Sequence, residues 1–202
     1  MALEIERRFL VAGDGWRLHA GPPQALAQGY LSGSAEGLTL RVRQAAPLPA
    51  GEGGASAATE AVVAGYGAGQ AWLTLKLPAA GIARHEFEYP IPALDSEQLL
   101  TLCPTALRKR RHQLDLPGGD WVLDVFEGPN APLVIAEVEL EHSDSPVTVP
   151  PWCVRELTGD GRFSNAALAR QPFAGWPDAD RAAVEQLLAA GTGPGRAAAA
   201  GA

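Results

Sequence analysis

Carboxylates two residues apart recur through this 202-residue chain, as Glu4/Glu6, Glu86/Glu88 and Glu137/Glu139, with Ile5, Phe87 and Val138 between them. Side chains of a strand alternate between faces with a period of two, so each pair stands on one face, roughly 7 Å apart. Bases keep the same spacing. Arg8 extends the Glu4–Glu6 row and Arg84 precedes Glu86; Arg41 with Arg43, and Lys109 with Arg111, form pairs of their own. Lys76 shares a face with Trp72 and Thr74, and Asp124 faces away from Val125. Paired carboxylates hold hard divalent cations through oxygen, and Mg²⁺ typically takes one or two of them plus substrate phosphates. Arg and Lys bind the phosphate oxygens that a metal leaves over. Together the two sets suit a metal-bound polyphosphate.

The plainer alternative is an antiparallel sheet with a solvated outer face, whose ion pairs contribute about 0–1 kcal/mol each. Repeated like-charge pairs argue against it, because surface pairing avoids like charges side by side. Many strands sharing one charged face point instead to a closed barrel with a polar interior.

The elements needed to carry these rows can be read from alternation and breakers. Strands are expected at Leu3–Val11, Gln28–Ser32, Leu38–Gln44, Ala71–Leu77, Arg84–Pro90, Thr105–Leu114, Trp121–Glu127 and Leu133–Leu140. Asp14–Ala27 reads as loop or short helix, and Gly33–Gly37 as a turn. A helix is expected from Asp95, with capping-box spacing to Gln98, ending at Pro104. A short helix falls within Trp152–Ala169, and Asp178 caps an Ala/Leu-rich helix to about Ala190. Residues 45–70, rich in Ala, Gly and Pro, read as a low-complexity insertion in a hairpin, and Gly191–Ala202 as a disordered tail. Gly65–Gly69 lacks the Lys-Ser/Thr pair and following helix of a phosphate-binding loop.

The length fits one domain, placed at 1–172, with a C-terminal helix and tail at 173–202. A net charge of -7 and a pI near 5.1 speak against nucleic-acid binding through bulk charge. Cys103 and Cys153 are too few for a disulfide framework or zinc site, and the 4 histidines have no ligand spacing. Neither a signal peptide nor a membrane span is expected, so the chain reads as a cytoplasmic protein, monomer or homodimer, without membrane or nucleic-acid partners.

The ordered motifs resemble the CYTH superfamily, the triphosphate tunnel metalloenzymes. They are Glu4-Ile-Glu6-Arg-Arg8, Gln28-Gly-Tyr30-Leu31, Arg41-Val-Arg43, Leu73-Thr-Leu-Lys76, Arg84-His-Glu86-Phe-Glu88, Lys109-Arg-Arg111, Asp124–Gly128, Ala136–Leu140 and Asp160–Asn165. The resemblance implies an α+β, mainly β fold: a closed eight-stranded antiparallel barrel forming a tunnel, with helices packed around it. It implies hydrolysis of inorganic tripolyphosphate to pyrophosphate and phosphate with Mg²⁺ or Mn²⁺. The alternatives are cyclisation of ATP, as in the family's adenylyl cyclases, or a non-catalytic polyphosphate- or nucleotide-binding module. Carried over by motif, Glu4 and Glu6 would hold one metal, and Glu137 and Glu139, with Asp124, a second. Arg8, Arg41, Arg43, Lys76, Arg84, Lys109 and Arg111 would bind phosphate. Lys76 or Lys109 would handle the proton, and Tyr30, Glu86, Glu88 and Arg162 would be further tunnel residues. Three positions depart from the family pattern: Arg8 for Lys, Val122 for Glu and His112 for Tyr.

Overall fold

Strict alternation has its structural consequence in the computed structural model, which describes residues 3–32, 37–48 and 69–191. Nine strands form: β1 (Leu3–Val11), β2 (Gln24–Ser32), β3 (Thr39–Pro47), β4 (Gln70–Pro78), β5 (Ala83–Pro90), β6 (Thr105–Leu114), β7 (Asp120–Phe126), β8 (Val134–Glu139) and β9 (Cys153–Glu156). Three helices accompany them: α1 (Ala93–Leu102), α2 (Asn165–Arg170) and α3 (Asp178–Gly191). Most of the expected Gly33–Gly37 turn, most of the 45–70 insertion with its Gly65–Gly69 run, and the tail beyond Gly191 lie outside the described residues.

Eight strands pair antiparallel in the cyclic order β1-β5-β4-β3-β2-β6-β7-β8 and return to β1, which closes the barrel. Closure removes sheet edges, and β1 shows how completely. One of its edges pairs with β8; the other is divided between β5 at Leu3–Ile5 and β9 at Phe9–Val11. β9 thus covers the stretch of β1 that β5 leaves open.

Directly opposed residues share a face. The register sets Glu6 opposite Glu139, Arg8 opposite Glu137, Arg111 opposite Asp124, and Lys76 opposite Glu86. The charged rows therefore all face inward. The outward set of β1, β7 and β8 (Phe9, Val11, Trp121, Leu123, Val138) is buried under Trp16 and Trp152. Inside, the polar lining gives way at one end to Leu10, Phe126 and Ile135, which pack against Phe163, Leu168, Phe173, Trp176 and Val184. That end is plugged by the C-terminal segment. Each large side chain buried there contributes about 1.5–3 kcal/mol relative to exposure. The segment beyond 172 therefore packs into the same core as the barrel.

Three local readings need correction. β2 begins at Gln24 rather than Gln28, because Ala25, Leu26 and Ala27 are buried and pair with both β3 and β6. Small residues concealed that strand from a pattern based on bulk. α1 begins at Ala93 after Pro92 with no side-chain cap, so the Asp95/Gln98 capping box does not form. Its start is fixed instead by Pro92 and by Ser96, which is buried and accepts a 2.6 Å hydrogen bond from Gln44 Nε2. β9 was not foreseen, being four residues long with no alternating apolar face. Gly29 permits the close approach of α1: a Cβ there would lie 2.6 Å from Cys103 Sγ and 2.8 Å from Leu100. Both cysteines are free, and no helix among the described residues is long and apolar enough to cross a membrane.

Candidate active site

Two ion-pair networks fill the barrel interior. In the first, Lys76 Nζ bridges Glu4 Oε2 at 2.6 Å and Glu86 Oε2 at 2.8 Å. Arg41 Nη2 donates to Thr74 Oγ1 at 3.1 Å and reaches Glu86 and Glu88 at 3.3 and 3.4 Å. Arg43 Nη2 meets Glu88 Oε2 at 2.8 Å and stacks its guanidinium over Trp72. Burial raises the Glu4 carboxyl above its ordinary range despite Lys76, whereas at Glu86 burial is outweighed by Lys76, Glu4 and Arg41 together, which hold the carboxyl low. Lys76 thus sits between two carboxylates of unequal proton affinity.

The second network runs along β1, β6, β7 and β8. Arg8 pairs through Nη2 with Glu6 and through Nε with Glu137, the latter at 3.2 Å. Arg111 is held bidentately by Asp124, Nε to Oδ1 and Nη2 to Oδ2, both at 2.7 Å, and its Nη2 reaches Glu137 Oε2 at 2.9 Å. Lys109 Nζ donates to Asp124 Oδ2 at 2.6 Å and to Asn165 Oδ1 at 2.8 Å. Burial opposes charge on both arginines, but the surrounding carboxylates outweigh it and hold them more firmly protonated than usual. For Lys109 burial prevails and lowers the ammonium to about 8.

The sequence-derived residues are thus brought together, though in a different grouping. Asp124 is fully buried and its oxygens are taken by Lys109 and Arg111, so it acts as their counter-ion. Glu137 is likewise shared by two arginines. Glu139 instead stands opposite Glu6 on one side and Asp120 on the other, a row of like charges across three strands. No ion pair involves Glu139 among the described residues. Burial and the fields of Glu4, Glu86, Asp120 and Glu6 raise its carboxyl above the ordinary range. Within this row Glu6 is paired with Arg8, whereas Glu139 and Asp120 have no ion pair among the described residues; such a set of carboxylates is suited to a hard divalent cation. No three acidic, His or Cys side chains among the described residues converge into a ready-made cage.

Anion-binding capacity is visible as well. The Nε atoms of Arg41 and Arg43 are buried without a hydrogen-bond partner. An unpartnered buried donor costs about 1–3 kcal/mol, which an oxyanion would relieve. Arg84 makes no ion pair among the described residues and, with Arg8, Tyr30, Arg41 and Lys76, lines a cavity of about 80 Å³. Tyr30 is buried, and its hydroxyl donates to Gln28 Oε1 at 3.3 Å.

Arg162 is the exception. It lies outside the tunnel, pairs with Asp160 and Asp180, and covers Trp176. Its strong local acid Asp160, two residues back, draws it outward. The inward members of that run are Ser164 and Asn165, which line the cavity. Motif order had signalled the run but not which residue faces in. Thr74 and Asp120 were also missed; Thr74 was legible from its face shared with Lys76. Of the departures, Val122 stands opposite Glu137 on the lumen face. His112 is outside, against Trp16, with Nδ1 2.9 Å from the Gly21 carbonyl, and so does not alter the tunnel.

A chain from Acetivibrio thermocellus named inorganic triphosphatase is 33% identical over 175 residues, spanning 86% of this chain and 97% of that one. One from Nitrosomonas europaea, also named inorganic triphosphatase, is 35% identical over 172 residues, spanning 82% and 96%. A solved crystal structure described as an inorganic triphosphatase superposes with a TM-score of 0.52 at 32% identity, covering 84% of this chain and 95% of its own. The CYTH domain model matches residues 2–166, which include all eight barrel strands, and on this match and these relatives the chain belongs to the CYTH domain family.

Proposed function

We propose that this chain hydrolyses inorganic tripolyphosphate to pyrophosphate and phosphate inside the barrel, with Mg²⁺ or Mn²⁺. The observation that carries the reading is the juxtaposition, on one closed barrel, of buried guanidinium Nε donors without hydrogen-bond partners and the Glu6–Glu139–Asp120 carboxylate row, whose Glu139 and Asp120 are exposed. Two relatives and one solved structure bearing the name inorganic triphosphatase support it.

The chain's own groups account for binding. Arg8, Arg41, Arg43, Lys76 and Arg84 supply charge along the lumen. Carboxylates now hold Lys76, Arg41 and Arg43, so phosphate oxygens would exchange with them for these cations. Lys76 is the most exchangeable, a single ammonium between Glu4 and Glu86. Glu4, Glu6 and Glu139 would hold the divalent cation, which when bound supplies charge neutralisation and a more acidic water. Water attacks the terminal phosphorus, the bridging P–O bond breaks, and pyrophosphate leaves. Arginine stays protonated, so a proton moving within the lumen is handled by Lys76. Such catalysis is mainly positioning and charge stabilisation.

We take the working compartment as the cytoplasm, on the two free cysteines. The test is phosphate release from tripolyphosphate with each metal, beside product analysis with ATP. Orthophosphate with pyrophosphate from tripolyphosphate supports the reading; cyclic AMP from ATP, or tight binding without turnover, overturns it.

A further inference from the structure

Within the C-terminal plug, Asn165 meets a tunnel cation directly. Asn165 opens α2, and Ser164 before it fixes that end by accepting from the Ala167 amide at 3.2 Å. Asn165 Oδ1 accepts from Lys109 Nζ at 2.8 Å, while the same Nζ donates to Asp124 Oδ2 at 2.6 Å and lies 5.4 Å from the centre of the Phe126 ring. An ammonium has three donors. Two oxygens and a ring face occupy them, and the side chain is 0% exposed. Lys109 is therefore not placed to meet phosphate directly. Arg111, 21% exposed, is the member of this group that reaches the lumen.

We propose that Asn165 is a positioning residue which, through Lys109 and Asp124, sets the direction in which the Arg111 guanidinium meets the triphosphate. The proposal rests on the reading that a triphosphate occupies the lumen. The shared atom is Asp124 Oδ2, which accepts from Lys109 Nζ and, at 2.7 Å, from Arg111 Nη2. Whatever moves Nζ moves the oxygen that fixes one arm of the guanidinium. Without the amide oxygen, Nζ keeps one strong acceptor and turns further onto Asp124 or toward Glu137, the carboxylate that also holds Arg111. The amide oxygen completes the ammonium shell that Asp124 and the Phe126 ring begin. The arrangement also gives the plug a function beyond closing the barrel, since α2 positions a tunnel cation from outside the β-sheet.

The experiment uses the full chain and compares Asn165→Ala, Asn165→Asp, Arg111→Gln and the double variant Asn165→Ala/Arg111→Gln. Steady-state tripolyphosphate hydrolysis with Mg²⁺ and the Tm are measured for each. Asn165→Ala is expected to lower kcat/KM roughly ten- to a hundredfold, as for a displaced positioning group. Asn165→Asp restores most of the loss, because the acceptor oxygen returns. In the Arg111→Gln background Asn165→Ala adds little, since both act as one unit. If Arg111→Gln does not fold, Arg111→Lys replaces it in the cycle. A lowered Tm with unchanged kcat/KM on folded protein overturns the proposal, as does an Asp variant no better than the Ala variant. Additive losses also overturn it, by showing that Asn165 acts on substrate independently of Arg111. A wild-type chain that binds tripolyphosphate without turnover would fail the functional reading alone. The same comparison is then read from Kd by calorimetry, with the same pattern required.

Discussion

Replacing Asp124 with asparagine separates two roles that motif and geometry assign differently. As a metal ligand, the carboxylate would be dispensable for folding and indispensable for turnover. As the counter-ion of Lys109 and Arg111, it would be needed for both. Asp124 has 1% of its side chain exposed and accepts three charge-assisted hydrogen bonds between 2.6 and 2.7 Å. Removing one partner of a buried ion pair typically costs 3–5 kcal/mol, because the remaining charge stays desolvated. Two features bring the cost to the lower end. Lys109 already holds its proton weakly, at about 8, and can shed it when Asp124 becomes neutral. Arg111 retains Glu137 and reaches solvent. The expected loss is therefore about 3 kcal/mol, which for a chain of this size is a fall in Tm of roughly 6–12 °C.

The pH dependence gives a second check. Burial raises the Asp124 carboxyl, but Arg111 and Lys109 overcome it and hold the folded-state pKa far below the ordinary 3.8. A depressed carboxylate contributes stability that is fully present above the unfolded-state pKa and is lost as pH falls through the folded value. The part of the Tm gap between wild type and Asp124→Asn that comes from ionisation of Asp124 itself should therefore be constant above about pH 4 and narrow progressively below it. Thermal unfolding followed by circular dichroism from pH 3 to 8 measures both. A variant that melts within a degree of wild type, yet loses metal-dependent turnover, would refute the counter-ion assignment and restore Asp124 as a ligand.

The other expectations follow from where each group lies. Lys76→Ala removes the ammonium between Glu4 and Glu86 and should lower kcat by ~10²–10³-fold, read as phosphate release at saturating tripolyphosphate. Glu139→Ala should abolish metal-dependent turnover while leaving Tm unchanged or slightly higher, because it removes like-charge repulsion rather than an ion pair. Arg162→Ala, outside the tunnel, should leave kcat and KM at wild-type values and cost less than about 1 kcal/mol in denaturant unfolding. Arg8→Lys restores the family residue but gives up the fork that spans Glu6 and Glu137; a severalfold loss of kcat/KM is expected, and no loss would show that charge alone suffices there.

Period-two alternation made the barrel legible because the rule binding side chain to face is local: Glu4, Glu6 and Arg8 had to share a side wherever the strand went. Closure followed from the improbability of so many charged faces being solvated together. What alternation could not show was which residues meet across strands, since register depends on contacts far apart in sequence. Glu137 and Glu139 looked like one metal pair. The register divides them, one into an arginine cluster and the other into the Glu6–Asp120 row. Asp160 likewise outcompeted the tunnel for Arg162, a local salt bridge that motif order does not encode. β2 was shortened for a different reason: Ala25 and Ala27, buried against Ala46, Leu48 and Leu100, are themselves too small to leave a hydrophobic signature.

The balance of charge inside the barrel is itself an argument about mechanism. A tunnel of uncompensated cations would bind triphosphate tightly but fold poorly, since each buried charge without a partner costs several kcal/mol. Here the carboxylates Glu4, Glu86 and Glu88 occupy Lys76, Arg41 and Arg43 in place of phosphate oxygens. When substrate and divalent cation enter together, phosphate takes the bases and the cation takes carboxylates, so ion pairing is exchanged rather than lost. This predicts mutual dependence: tripolyphosphate alone competes with the carboxylates for the cations, and metal alone competes with the cations for the carboxylates. Calorimetric affinity for tripolyphosphate should therefore rise steeply when a divalent cation is added, and the rise should shrink in Glu139→Ala. Affinity that is equal with and without the cation would show that the carboxylates are scaffolding for the bases and nothing more.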